Sequence, residues 1–383
     1  MNLLFEKVIL IGVTGGVAAY KVPLLVRELK GRGAKVKVIL TENAKRFVSS
    51  QVLSIFSDGV FDSLWEDDIP HITLSSESDF FLILPADYNI IGKAASGVAD
   101  DLLSTTIAAY NKKILFCPSM NPRMLENPVL IKNIEYLKSC GHYFLEPSKG
   151  PLACGVEGKG RLPSISRIVL EIEKALSPKT LEGDLCLITG GGTVEKIDPV
   201  RCLTNESSGK MAYYLAKYCY LSGGEVELIL GKNTLNLDPD LPYKITLVNS
   251  AEEMFNKILD RWDEVDYLFM SAAVSDFTVN PKEEKIKRKE ELVLELKSNI
   301  DILKELKKRK KHQFIVGFSL EKENLRASTL EKMKEKGCDI MVGNFVSSIG
   351  SEESAGIIIS KKGEEEFNCS KEELAWKIIQ KIK

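Results

Sequence analysis

The sequence has little of what a metal enzyme, a disulfide-stapled protein or a membrane protein needs. Three histidines and eight cysteines are spread over 383 residues. No Cys-x-x-Cys pair or His-rich cluster occurs, which argues against a Cys/His metal site and a disulfide framework. The cysteines read as free, mostly buried thiols in a reducing, cytoplasmic setting. No uncharged apolar run is long enough to cross a bilayer. Acidic Glu6 stands where a secretory leader has its basic region, and no small-residue cleavage site follows, so no leader is expected. An excess of either charge is also missing. The 52 Lys+Arg against 54 Asp+Glu leave a net charge of −2, which argues against a dedicated nucleic-acid binder.

What is present is a globular composition, 44% hydrophobic and 28% charged, with a mean hydropathy of −0.05. The length suits two α/β domains. Short apolar runs at Lys7–Val13, Lys35–Leu40, Phe80–Pro85 and Lys113–Cys117 read as buried parallel strands. Helical spacing covers Tyr20–Lys30, Ile90–Ala99 and Leu102–Tyr110. A closing helix, Ile165–Leu176, precedes a break at Ser177–Gly183. The alternation then restarts, with strands at Leu185–Gly190, Glu225–Leu230, Tyr267–Met270, Phe314–Phe318 and Ile340–Gly343. Helices at Lys210–Leu221 and Leu325–Lys336 fall between them. The expected fold is α/β, two doubly wound Rossmann-like domains over residues 1–180 and 181–383. The basic run Lys304–Lys311 reads as a solvated helix face.

The first strand runs into Gly12-Val-Thr-Gly-Gly-Val-Ala-Ala-Tyr-Lys21. Amides at a helix start, with glycines allowing close approach, suit a phosphate. The spacing is not G-x-G-x-x-G, so a mononucleotide fits better than a dinucleotide. Gly15, Gly16 and Val17 are the candidates there. Thr41 follows strand two, Pro85 to Asn89 follow strand three, and Asp100 to Thr105, with Ser104, add carboxylates and hydroxyls. All lie after strand ends, where open α/β sheets bind ligands. His71 follows Pro70 in an expected loop and reads as structural or functional. Asn121 reads as a cap or turn residue, or as a binding amide. Cys154 sits in a glycine-rich loop, Pro151 to Arg161, between helices. That loop suits a mobile lid presenting a thiol, with Lys159 and Arg161 beside it to attract an anion.

In the second half, Thr189-Gly-Gly-Gly-Thr193 follows a strand. Gly209-Lys210 is reminiscent of a P-loop, but Met211 stands where Ser/Thr is required, so a Walker A motif is rejected. Ser207, Ser208 and Gly209 make either an anion cradle or a plain helix cap. Met270 to Asp276 closes a strand with small residues that admit a flat base or sugar, and Asp276 is a candidate Mg2+ ligand. Lys285-Ile-Lys-Arg288 is a basic loop or a solvated run. Lys332 and Lys336 share one helix face at i,i+4.

These motifs, in this order over essentially the whole chain, resemble the bifunctional coenzyme A biosynthesis proteins, phosphopantothenoylcysteine decarboxylase fused to phosphopantothenate–cysteine ligase. The resemblance rests on Gly15-Gly-Val-Ala-Ala-Tyr-Lys21, His71-Ile72, Pro118-Ser-Met-Asn121 and Leu152-Ala-Cys-Gly155. In the second half it rests on Pro199-Val-Arg201, Asn205 with Ser207 to Met211, Ala272 to Asp276, Lys285 to Arg288 and Gly317-Phe318. It implies an N-terminal flavodoxin-like, homo-oligomeric FMN domain, trimer-based with a dodecamer as one form, and a C-terminal nucleotide-binding ligase domain. In the first, FMN oxidises the thiol-bearing carbon, so that a thiocarbonyl β to the carboxylate becomes the electron sink for CO2 loss. His71 would act as base or thiol orienter, Asn121 would hold the substrate carboxylate and Cys154 would donate a proton.

In the second domain, CTP with Mg2+ would activate 4′-phosphopantothenate as an acyl-cytidylate, and cysteine would displace CMP. Arg201 and Asn205 would serve the first half-reaction, and Lys285 the attack or the nucleotide phosphates. Met270, Ser271, Ala272, Asp276, Ile300, Asp301, Ile302, Leu303, Phe318, Lys332 and Lys336 would line the CTP site. The substrates implied are small molecules, 4′-phosphopantothenoylcysteine among them. The chain departs from the family at Ser119, Leu125, Leu162 and Ile300, at the Ile90-Ile91 pair, at Lys210-Met-Ala212, and near Ser354 to Ile359. Two rival readings are a non-catalytic flavin-binding regulator and a nicotinamide-dependent oxidoreductase. The trio His71, Asn121 and Cys154 argues against the first, and the missing G-x-G-x-x-G against the second.

Overall fold

Val8–Val13 carries apolar side chains on both sides of the chain, and a strand of that kind must be covered on both faces. In the computed structural model it is the central strand β1 of a sheet. The structure describes residues 2–65, 69–151, 155, 157–287, 292–348 and 350–382. The other strands are β2 (Lys35–Leu40), β3 (Gly59–Phe61), β4 (Phe80–Ala86), β5 (Ile114–Pro118) and β6 (Tyr143–Phe144). Their order is β3-β2-β1-β4-β5-β6, every pair parallel. The connections therefore leave β1 in opposite directions, towards β2 and β4, and open a crevice at the carboxyl ends of those strands.

On one face Ile9, Ile11 and Val13 pack with Leu25 and Leu29 of helix Val22–Gly31 and with Ile168 and Ile172 of helix Ile165–Leu176. On the other, Leu10, Ile83 and Phe116 pack with Leu74, Ile91, Leu103 and Leu130. Each fully buried aliphatic side chain contributes about 1.5–3 kcal/mol. This unit spans Asn2–Ser177 and also takes in Asp238–Leu241. There Asp238 accepts from the hydroxyl of Ser164 at 2.6 Å, and Asp240 from that of Ser148 at 2.7 Å.

The second unit comprises Pro178–Leu237 and Pro242–Lys383. Its eight-stranded sheet runs Lys244–Leu247, Glu225–Leu230, Leu185–Gly190, Tyr267–Met270, Phe314–Glu321, Ile340–Phe345, Glu353–Ser360, Gly363–Ser370. The first six strands are parallel and the last two antiparallel. One face packs Met254, Ile258, Leu303, Leu306 and Met333 from three helices. On helices Lys210–Leu221 and Lys371–Lys381, Tyr218 meets Trp376 with ring centroids 5.3 Å apart.

Several expectations need correction. His71 is not in a loop. It lies in the first turn of helix Pro70–Glu77, because Pro70 has its φ preset for a helix start and its missing N–H is not needed there. Pro151 to Arg161 does not join helices. Its flanks, Ser148–Pro151 and Glu157–Arg161, pair as an antiparallel hairpin, a form that glycines at alternate positions had obscured. The expected helix Tyr20–Lys30 is a 3₁₀ turn, Val17–Lys21, followed by Val22–Gly31 with Pro23 in its first turn. The basic run is helical only to Lys307.

The C-terminal hairpin depends on a close backbone passage. A Cβ on Gly356 would lie 2.0 Å from the Gly343 carbonyl oxygen across the sheet. Gly356→Ala is expected to destabilise the second unit by about 1–3 kcal/mol, the range seen for overpacking. The check is thermal unfolding followed by hydrogen exchange, with strands of the first unit unchanged.

Candidate functional site

In the first unit one hydroxyl draws the loops after β1 and β4 together, and a glycine lets the loop after β2 close on them. Buried Thr14 donates to the Pro85 carbonyl at 2.7 Å and accepts the Asp87 N–H at 3.1 Å. A Cβ on Gly15 would fall 2.4 Å from Asn43 Cβ, so only glycine lets the turn settle on the loop after β2. Gly15, Gly16, Val17 and Pro85 thus converge at the topological switch point. Thr41 donates to the Val13 carbonyl at 3.2 Å and so pins the end of β2 to β1. Asn89 is exposed in the first turn of helix Tyr88–Ser96, whose N-cap Asp87 accepts from Ile90 N–H at 2.8 Å. Ser104 is buried, and its hydroxyl closes a capping box with Asp101 at the start of helix Leu102–Ala109.

His71 is half-buried, and its Nδ1 atom is buried without a hydrogen-bond partner among the described residues. A buried ring nitrogen in that state has hydrogen-bonding capacity that the described residues leave unmet. Asn121 follows β5 and caps the short helix Pro122–Leu125, accepting from the Arg123 N–H at 2.9 Å. The hairpin rests on the same loop. The Ser119 hydroxyl donates to the Gly160 carbonyl at 3.2 Å, and a Cβ on Gly158 would lie 3.1 Å from Pro122. Cys154, between the two hairpin strands, lies outside the described residues, as do Leu152, Ala153 and Val156.

The second unit has a cavity of about 610 Å³ above the carboxyl ends of its central strands. Its lining includes Asn205 and every residue expected at the nucleotide site: Met270, Ser271, Ala272, Asp276, Ile300, Asp301, Ile302, Leu303, Phe318, Lys332 and Lys336. The triple glycine is a packing device. A Cβ on Gly192 would lie 2.4 Å from the Asn205 carbonyl oxygen, so glycine lets the Asn205 segment close over the strand end. Asn205 in turn donates from Nδ2 to the Val274 carbonyl at 3.0 Å. Lys332 pairs with Glu321 at 2.6 Å, and Lys336 lies 3.8 Å from Asp301.

Sequence reasoning missed the far wall of this cavity. Asn344, Ser348, Ser354 and Lys371 line it. The Ser354 hydroxyl donates to Asn344 Oδ1 at 2.7 Å and fixes that amide. The available signal was the apolar run Ala355 to Ile359 followed by a Lys-Lys-Gly turn, which reads as a hairpin.

Arg201 and Lys285 are not among the lining residues. The Arg201 guanidinium pairs with Asp198 at 2.6 Å and donates to the Ile286 carbonyl at 3.1 Å. Lys285 is exposed on that same loop, and Arg288 lies outside the described residues. Desolvation alone would raise the Asp198 carboxyl. The backbone N–H groups of Val200, Arg201 and Ile286, with the Arg201 side chain, outweigh it and hold the carboxyl down to about 2.

Residues 3–177 match the Flavoprotein family, and residues 181–383 match the DNA/pantothenate metabolism flavoprotein C-terminal domain. Two α/β units with ligand crevices at their strand ends, the first of the flavoprotein kind, define a two-domain flavoprotein of pantothenate metabolism. The Bacillus subtilis coenzyme A biosynthesis bifunctional protein CoaBC is 40% identical over 361 residues, covering 91% of this chain and 88% of that protein. The Borreliella burgdorferi CoaBC is 36% identical over 388 residues, covering 98% of each. The Methanocaldococcus jannaschii CoaBC is 35% identical, covering all of this chain and 94% of that protein. The chain belongs to the CoaBC family of bifunctional coenzyme A biosynthesis enzymes. Among the described residues, no helix is long and apolar enough to cross a membrane.

Thr14→Val would leave the Asp87 N–H and the Pro85 carbonyl without their buried partner. The first unit should lose about 1–3 kcal/mol in urea unfolding. Asp198 predicts a pH effect of defined sign. Its folded-state pKa lies below the ordinary 3.8, so its stabilisation is full above that value and is lost as pH falls towards about 2. Asp198→Asn should flatten the acid limb of second-unit unfolding across that window, read by circular dichroism.

Proposed function

We propose that this chain makes 4′-phosphopantetheine by two reactions. The second unit joins cysteine to 4′-phosphopantothenate at the expense of CTP, and the first decarboxylates the product with FMN. The observation that supports this most is the convergence of the eleven residues that the family resemblance implies for the nucleotide site, from Met270 to Lys336, on one cavity of nucleotide size.

For ligation, an oxygen of the 4′-phosphopantothenate carboxylate bonds to the α-phosphorus of CTP and pyrophosphate leaves. The cysteine amine then bonds to the acyl carbon, CMP leaves with the C–O electron pair, and the amine gives up a proton. A carboxylate is a poor electrophile, so activation precedes attack. Small residues Ser271 and Ala272 leave room for a base or sugar. Lys332 and Lys336 offset negative charge once they turn from Glu321 and Asp301 towards phosphate. Asp276 would give a carboxylate to Mg2+, with phosphate and water oxygens completing the shell. Asn205 and Arg201 are assigned to the acyl-nucleotide half-reaction and Lys285 to amine attack.

In the first unit, the Thr14-pinned turn and the orphaned Nδ1 of His71 suit a bound flavin mononucleotide and its substrate. Bound FMN supplies a two-electron oxidation of the thiol-bearing carbon and its later reversal. The Gly15 amide and the turn through Gly16 and Val17 would hold the phosphate end, the Gly16 N–H being taken by the Thr14 carbonyl at 2.9 Å. His71 orients or deprotonates the substrate thiol, Asn121 donates to the carboxylate that leaves as CO2, and Cys154 returns a proton to the carbon left behind. Exposed Val17, Tyr20, Ile55, Trp65 and Ile72 support self-association into a trimer-based homo-oligomer. The described cysteines are all free, which suits a cytoplasmic setting.

The deciding assay supplies 4′-phosphopantothenate and cysteine with CTP or ATP in parallel. Product with CTP is expected, and the purified protein should be yellow. Cys154→Ser is expected to keep the flavin and release CO2 but to stall before reduced product, checked by mass spectrometry of the accumulated species. Asn205→Asp should abolish ligation and leave decarboxylation of supplied 4′-phosphopantothenoylcysteine intact, checked by assaying each half separately.

A further inference from the structure

Asp198 sits in the turn between two short antiparallel strands, Val194–Lys196 and Cys202–Thr204. Its side chain is fully buried, yet it does not line the cavity. One carboxylate oxygen accepts the N–H of Val200 at 2.8 Å and of Arg201 at 2.7 Å. The other accepts Arg201 Nη1 at 2.6 Å and, 88 residues away, the N–H of Ile286 at 3.1 Å. Arg201 Nη1 also donates to the Ile286 carbonyl. Both backbone groups of Ile286 are therefore held, and Lys282 N–H adds a third tie to the Ile197 carbonyl at 2.9 Å. Residues 282–287 lie in no helix or strand, so these bonds define where Lys285 stands.

We propose that Asp198 is a positioning residue for ligation, fixing Arg201 and the Lys285 loop as one body. This rests on the assignment of Arg201 and Lys285 above. The Arg201 guanidinium uses only Nη1 within the described residues, and its side chain is 40% exposed, so its Nε–Nη2 edge keeps its donors for a group from outside. An ionised carboxylate has lone pairs for four donors. An amide has a single acceptor oxygen and two donors of its own, which would face the guanidinium and the Ile286 N–H. Asp198→Asn must therefore release at least two of the four bonds, and both cationic residues lose their register together.

The test uses the full chain with three readouts. In Asp198→Asn, hydrogen exchange at Ile286 should quicken at least about tenfold. Ligation kcat should fall about 100-fold, as a misplacement of about an ångström causes, while KM for CTP stays within about threefold because the cavity wall is untouched. Decarboxylation of supplied 4′-phosphopantothenoylcysteine should not change. Lys285→Gln, costly in the wild type, should cost less than about threefold more in the Asp198→Asn background, the non-additivity of coupled residues. Unchanged exchange at Ile286, or a full additional loss from Lys285→Gln, overturns the proposal. If Asp198→Asn does not fold, Arg201→Lys serves instead. Lysine cannot bridge Asp198 and the Ile286 carbonyl with one planar group, so Ile286 should again exchange faster, and unchanged exchange overturns the proposal. If the wild type fails to ligate with CTP, the ligase reading falls, and exchange at Ile286 alone decides the clamp.

Discussion

A parallel sheet covered on both faces leaves its carboxyl edge as the place for polar chemistry, and both units are built around that constraint. Strands such as Val8–Val13 and Leu185–Gly190 are buried almost throughout, so no ligand can approach from above or below. At the edge, the loops need something other than apolar packing to hold them. In the first unit Thr14 does this, joining the turn after β1 to the loop after β4 through a donor and an acceptor of one hydroxyl. In the second unit Thr189 has a related place. Its carbonyl accepts from the Ser271 hydroxyl at 2.7 Å, which ties the ends of two adjacent strands.

How much of this was legible in the sequence follows from the range of the interactions. Strand and helix positions were readable because burial imposes a periodicity on consecutive residues, and Ile165–Leu176 carries it in full. The cavity residues were readable because they stand just after strand ends in motifs of small and charged residues. His71 was misplaced because a proline followed by a histidine reads as a turn, although proline is also a favoured first helical residue. Asn344 and Ser354 were missed because each looks ordinary alone. Their significance lies in a hydrogen bond between adjacent antiparallel strands, and the second of these, Glu353–Ser360, had not been recognised. Arg201 was assigned to substrate from its motif, while it is engaged by Asp198 three residues back and by a loop 85 residues further on.

The charges around the second cavity form pairs that a polyanion would disturb. Lys332 is matched to Glu321, Lys336 to Asp301 and Lys210 to Glu352. Each pair keeps at least one partner a third or so exposed, and solvent-screened pairs are worth about 0–1 kcal/mol, so exchanging a carboxylate partner for a phosphate costs little. The lysines are thereby held at the cavity by partners that a phosphate can replace.

Asp198 follows the opposite rule. It is buried, ionised and surrounded by donors, and its pairing with Arg201 and Ile286 leaves no acceptor capacity for anything else. A buried carboxylate is tolerated only where every lone pair is met, and removing one partner costs far more than an exposed pair is worth. Fixed charge of that kind suits a place where geometry must not vary, and loose surface pairs suit a place where ligands exchange. The second unit uses both within one sheet edge: yielding lysines around the cavity, and a rigid anchor under the loop that carries Lys285.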